Sequence, residues 1–234
     1  MTTVVEALVW FLVFVFSTTC HEAAHAWAAL KGGDPTAYEG GQVSLDPLPH
    51  LRREPFGMVV MPLLSLFVSG AMIGWASAPY DARWAQRFPR RAALMSLAGP
   101  VANFLLAGVA LAIMHALLAS GVFVAPPAAS AAHLVAVPGA EDVRTPLSFL
   151  ATLLSVTLYL NVTLGLFNLL PVPPLDGAGV LEGATHPASA RFFQALREQP
   201  LMQLAGLLVA WQLFKVVRPG LGFLLGLLHP GAYG

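Results

Sequence analysis

His21-Glu22-Ala23-Ala24-His25 lies inside an apolar run that begins near Val4, and its placement decides how the whole chain is read. On a helix, positions four apart share a face, so both imidazoles can bind one zinc ion. Glu22 is held beside them, where it can handle protons on a water bound there. In a soluble helix the same residues would read as surface polarity. Within an apolar run that reading weakens, because an isolated ionised side chain costs several kcal/mol to bury. The run Val4–Phe16 has no basic region before it and no small-residue cleavage site after it, and it continues into the motif. It therefore reads as a retained transmembrane helix and not as a signal peptide.

The rest of the chain agrees with that class. Of 234 residues, 57% are apolar and only 10% are charged, where a soluble domain carries about a quarter charged residues. The expected fold class is an all-α polytopic membrane protein. Formal net charge is zero, which gives no indication of nucleic-acid binding. Cys20 is the single cysteine, so an intrachain disulfide is excluded. One helical step points its thiol about 100° away from His21, and it reads as a packing residue.

Spans are expected at about 7–30, 92–120, 147–170 and 201–217, within a single domain of 1–234 whose core is 7–182. The segment Phe56–Ala78 either spans or re-enters, since Pro62, Gly70 and Gly74 interrupt it. If it spans, the Lys and Arg residues divide evenly between the two sides. If it re-enters, Lys31, Arg52, Arg53, Arg83, Arg87, Arg90, Arg91, Arg191 and Arg197 share one side and face only Arg144, Lys215 and Arg218. The second distribution obeys the positive-inside rule, and the re-entrant reading is preferred. Between the first span and this segment, Tyr38–Pro47 is short, Gly-turned and partly alternating. It suggests a small membrane-associated β-hairpin, with an interfacial loop as the alternative. Val124–Thr145, rich in Ala and Pro, reads as an outside loop.

Catalytic zinc wants three protein ligands and an open position for water. The candidate for the third is Asp176, in Asn168-Leu169-Leu170-Pro171-Val172-Pro173-Pro174-Leu175-Asp176-Gly177. The prolines end a helix and remove backbone donors, and Gly177 frees the backbone directly after the carboxylate. The competing reading is an Asp-Gly turn at the membrane surface.

His21-Glu22-Ala23-Ala24-His25, then Ser96-Leu97-Ala98-Gly99-Pro100-Val101-Ala102-Asn103, then the Asn168–Gly177 stretch, resemble in that order the site-2 protease family, the intramembrane zinc metalloproteases of peptidase family M50. The resemblance covers Ala7 to about Glu182 and includes the HExxH, GPxxN and NxxPxPxxDG signatures. It implies His21, His25 and Asp176 as ligands of one zinc per chain, with Glu22 as general base. It also implies a three-helix catalytic core, joined here by further transmembrane or re-entrant segments. The active site would lie toward the cytosolic side of a bacterial inner membrane. The chain looks like a compact member, with neither a PDZ domain between the core helices nor a CBS domain after them. The implied activity is cleavage of a single-span transmembrane protein within the bilayer by zinc-activated water. Asn168 and Asn103 are candidate contacts to substrate backbone or oxyanion, each with an interhelical hydrogen bond as the alternative. His50, His115, His133, His186 and His229 show no spacing to a second ligand and read as interfacial or core residues. A transporter would need several such clusters along a pathway, and a catalytically dead relative would not need Glu22.

Overall fold

The computed structural model describes residues 4–69, 72–139, 145–184, 195–196, 199–217 and 220–230. Gly70, Arg144, His186, Arg191, Arg197 and Arg218, which entered the sequence reading, lie outside the described residues. In chain order the helices are α1 (Val4–Gly32), α2 (Thr36–Glu39), α3 (Pro47–Arg53), a π-helical turn at Phe56–Val60 that runs into α4 (Met61–Ser69), and α5 (Ala82–Arg87). They continue with α6 (Pro89–Ala119), α7 (Pro146–Asn168), α8 (Asp176–Ala184), α9 (Pro200–Val217) and α10 (Leu221–Leu228).

Helices α1, α6 and α7 are long and apolar enough to cross a membrane. At 1.5 Å per residue they reach roughly 35–45 Å, against a hydrocarbon thickness of about 30 Å. All three pack against one another, and their polarity is inverted relative to a soluble bundle. Leu8, Leu12, Phe16, Leu105 and Val109 face outward, whereas Ser17, His21, Glu22, His25, Asn103 and Asn161 are buried. Outward apolar groups are at ease in lipid. Inward polar groups must find partners within the protein, because hydrocarbon offers none.

The expected span at 201–217 is helical as α9, although its apolar stretch Leu201–Lys215 is shorter than those of the three long helices. Ala210 and Phe214 of α9 pack on Leu170 and Leu175, in the turn that follows α7. At the other end of the bundle, Met114, Phe123, Leu134, Leu158, Leu224 and Leu228 form the largest apolar cluster. There the described part of the expected outside loop folds back on itself, Val124 and Ala136 exchanging backbone hydrogen bonds at 2.9 Å.

The Phe56–Ala78 segment goes out as the π turn and α4 and returns as extended chain. Its two ends meet. Arg53 Nε donates to Ser77 O at 3.1 Å, and the Ser77 hydroxyl donates to the Glu54 carboxylate. Further in, Trp75 N–H donates to Gly57 O at 3.1 Å and Ile73 N–H to Ser65 Oγ at 2.9 Å. Gly57 and Gly74 allow this approach, since a Cβ on either would overlap the backbone of the other limb.

The expected β-hairpin at Tyr38–Pro47 is absent: no strand forms there. The reason is capping. Asp34 Oδ1 accepts from Thr36 N–H at 3.0 Å and from its hydroxyl, a side-chain turn directly ahead of α2, whose cap position is Pro35. Gly41, at φ 73°, closes that turn. Asp46 accepts from Leu48 N–H at 2.9 Å and Pro47 takes the first position of α3, so Asp-Pro opens a helix instead of ending a strand.

Substituting Gly57 or Gly74 by Ala should lower thermal stability in detergent by about 1–3 kcal/mol through overpacking. Gly222→Ala, where an added Cβ meets nothing within 4 Å, should be neutral or slightly stabilising in its helix. Melting curves of the three variants compare the effects directly.

Candidate metal centre

His21, Glu22 and His25 sit on the inward face of α1 and are 7%, 5% and 7% exposed. One ligand atom from each lies within 4.8 Å of the others. Asp176, the first residue of α8, closes the group. Its Oδ2 is 3.1 Å from His21 Nε2 and its Oδ1 is 3.3 Å from His25 Nε2. The turn Leu169–Leu175 brings it there, with a cis peptide between Pro173 and Pro174. Gly177 lets α8 begin against the end of α7, where a Cβ would overlap the carbonyl of Leu169.

Helix α6 supplies no ligand but orients both imidazoles. His25 Nδ1 faces the Met95 carbonyl at 2.7 Å and His21 Nδ1 faces Asn103 Oδ1 at 2.6 Å. A carbonyl can only accept, so each Nδ1 carries a proton, and a neutral imidazole held this way presents its Nε2 lone pair. The two Nε2 atoms are nevertheless 2.9 Å apart. Asp176 Oδ2, beside them, is buried without a hydrogen-bond donor. With neutral imidazoles, two lone pairs and a carboxylate converge on one point, a set that a bound cation completes. The donor set suits zinc: two imidazoles and one carboxylate, with Glu22 close by.

Gly99 of α6 makes room for this meeting. A Cβ there would collide with Nε2 of both histidines. It would occupy the space against which the two Nε2 atoms lie.

Asn103 is wholly buried. Its carbonyl oxygen serves His21 and its amide donates to Asn161 Oδ1 at 2.9 Å, so it orients a histidine and is not placed to reach substrate. Asn168, at the end of α7, is half-buried and spends one amide hydrogen on Leu164 O at 3.0 Å. Cys20 is half-buried and lines an open apolar groove with Trp27, Leu45 and Leu105, apart from the donor set. The other described histidines have structural partners: His50 with Ser44 O, His115 with Leu111 O and Leu227 O, His133 with Glu6, and His229 with Leu134 O. Asn161 was not singled out by the sequence reading, and Gly99 entered it only as part of the GPxxN signature. A lone Asn within an apolar span is a signal of a buried polar partner, and Asn161 carried it.

The family model described as Peptidase family M50 matches residues 9–211. Among curated proteins the chain is 34% identical over 180 residues to "Putative zinc metalloprotease YwhC" of Bacillus subtilis (strain 168), covering 75% of this chain and 68% of that protein. It is 28% identical over 196 residues to "Putative zinc metalloprotease Rip2" of Mycolicibacterium smegmatis, covering 84% and 64%. To the Rip2 of Mycobacterium tuberculosis (strain H37Rv) it is 31% identical over 205 residues, covering 84% and 65%. The chain thus spans about two thirds of the length of the curated relatives it matches. No solved structure matches it.

Gly99→Ala should abolish stoichiometric zinc binding, because the new methyl fills the space against which both Nε2 atoms lie. Gly108→Ala on the same helix, where nothing lies within 4 Å of the added Cβ, should bind zinc as the unmodified protein does. Metal content of the two purified variants decides the matter, and equal zinc in both would remove Gly99 from the site.

Proposed function

The chain belongs to peptidase family M50, and from that premise we propose that it is an intramembrane zinc metalloendopeptidase that cleaves the transmembrane segments of single-span membrane proteins. The observation that carries this reading is the convergence of His21 Nε2, His25 Nε2 and the Asp176 carboxylate beside the buried Glu22, inside three apolar helices.

His21, His25 and Asp176 would hold one zinc ion. When bound, the metal acidifies a water and polarises the scissile carbonyl. Glu22 is the general base. Its carboxylate takes the proton of the attacking water and returns it to the leaving amine. Burial of Glu22 among apolar helices strengthens each of these electrostatic interactions relative to water. Asn168 retains an amide hydrogen and its carbonyl oxygen beyond the bond to Leu164, and these are assigned to substrate backbone at the mouth of the site. Asn103 is not given that role, because both ends of its amide are engaged. A helical substrate hides its carbonyls in its own hydrogen bonds, so the bound segment must unwind before attack.

The active site is assigned to the cytosolic side of a bacterial inner membrane. His25 lies seven residues before Gly32, the end of α1, about 10 Å along the axis. Gly32 O is held there by Trp84 Nε1 and Arg91 Nη1, each at 3.0 Å. Arg53, at the point where the two ends of Phe56–Ala78 meet, supports the re-entrant reading and a basic face on that side.

Glu22→Gln should lose proteolysis of a model transmembrane substrate by several orders of magnitude while retaining zinc, since the base is not a ligand. Asp176→Ala should lose both activity and zinc affinity. Cleavage assays beside metal content separate the two roles, and substantial activity in Glu22→Gln would reject the general base.

Single cysteines at positions 53 and 87, in a Cys20→Ser background, test the topology. With a membrane-impermeant thiol reagent, neither should label in intact cells and both should label once the inner face is opened. Labelling of position 87 alone from outside would mean that Phe56–Ala78 spans.

A further inference from the structure

Three core helices are tied by one chain of buried polar groups that the catalytic reading does not use. Asn103 of α6 donates from Nδ2 to Asn161 Oδ1 of α7 at 2.9 Å. Asn161 Nδ2 donates to Ser17 Oγ of α1 and to the Thr157 carbonyl, each at 2.9 Å. Ser17, Asn103 and Asn161 are all wholly buried.

The chain has a direction, and one atom sets it. The Thr157 carbonyl can only accept, so the Asn161 amide nitrogen must face it. That leaves Asn161 Oδ1 toward Asn103, which must answer with its own amide nitrogen. Asn103 Oδ1 is then turned to His21, and the His21 nitrogen that meets it, Nδ1, must carry the proton. His25 needs no such relay, because its Nδ1 meets the Met95 carbonyl directly.

We propose that Asn161 is a positioning residue: through Asn103 it dictates which nitrogen of His21 is protonated and keeps the Nε2 lone pair turned toward the metal. Without Asn161 the Asn103 amide is free to reverse, offering an N–H to His21 Nδ1. The imidazole would then carry its proton on Nε2, where the ligand lone pair is needed. The inference rests on His21 being a zinc ligand. It differs from a general role as interhelical glue, because the outcome depends on the direction of the hydrogen bonds and not on their number.

Ser17 separates the two. Ser17→Ala removes one hydrogen bond of the chain, but Asn161 still donates to Thr157 and still accepts from Asn103. The test is zinc affinity by chelator competition on purified protein in detergent, with thermal melts of the zinc-free variants confirming that each is folded. Asn161→Leu should weaken zinc about 10–100-fold, the usual cost of losing an outer partner of a ligand. Ser17→Ala should leave the affinity unchanged. Should Asn161→Leu not fold, Asn161→Ala is measured in its place. Wild-type affinity in the folded Leu or Ala variant overturns the proposal, as does equal weakening in Ser17→Ala. His21→Ala is the control for the underlying reading: if it binds zinc as tightly as wild type, the ligand assignment fails and the inference with it.

Discussion

Two imidazole lone pairs and a carboxylate meeting at one point form the interaction on which the rest of this structure depends. In water such a cluster would relax by turning outward. Inside a bundle whose outer surface suits lipid, the donors cannot escape, and each must be held by a partner within the protein. The inverted polarity of α1, α6 and α7 follows from this. Residues such as Leu8 and Leu105 are dispensed outward, and the polar residues form a connected interior. Every hydrogen bond in that interior is short of alternatives, so its direction carries information that a surface hydrogen bond would not.

Bringing ligands from different parts of the chain to one point also demands close approach of backbone. Hydrocarbon gives helices no hydrophobic reason to associate, and tight packing through small residues takes its place. Gly99 lets α6 approach the imidazoles, and Gly177 lets α8 start against the end of α7. Gly206 of α9 meets the Pro173 carbonyl in the same way. The turn that presents Asp176 is therefore packed on one side by α9 and on the other by the core. A metal held there would draw together elements that are distant in sequence, so ligand binding and helix packing share one free energy.

The membrane class and the three long helices were legible from hydropathy, because lipid rewards length and apolarity independently of neighbours. His21, Glu22 and His25 were legible because their spacing is local. Asp176 needed more: the proline run predicted an extended turn, but only tertiary packing brings that turn to α1. The hairpin expectation failed at Asp34 and Asp46. Both are Asp residues beside Pro, and that pairing opens a helix as readily as it marks a turn; which occurs depends on whether the carboxylate finds a following N–H. Asn103 was left between a substrate contact and an interhelical hydrogen bond because its motif position was visible while its partner Asn161 was not. Sequence reports that a polar residue lies within an apolar span, but not what it faces.

The spacing within the second motif now has a physical account. Met95, Gly99 and Asn103 are successive fourth residues, so they lie along one face of α6. His21 and His25 are related in the same way on α1. Asn103 pairs with His21 and Met95 with His25, so the two faces run antiparallel. Gly99, midway, falls opposite the gap between the imidazoles, where the added bulk of any side chain would intrude. Pro100 follows it and removes a backbone N–H from the helix at the point of closest approach. One helix thus presents the imidazoles while its neighbour presents, in order along one face, a carbonyl, an opening and an amide. A shift of one residue in either face would rotate its groups by about 100°, separating the orienting oxygens from the histidines and closing the opening with a side chain. The motif on α6 contributes no ligand. It is the template that makes the motif on α1 into a site.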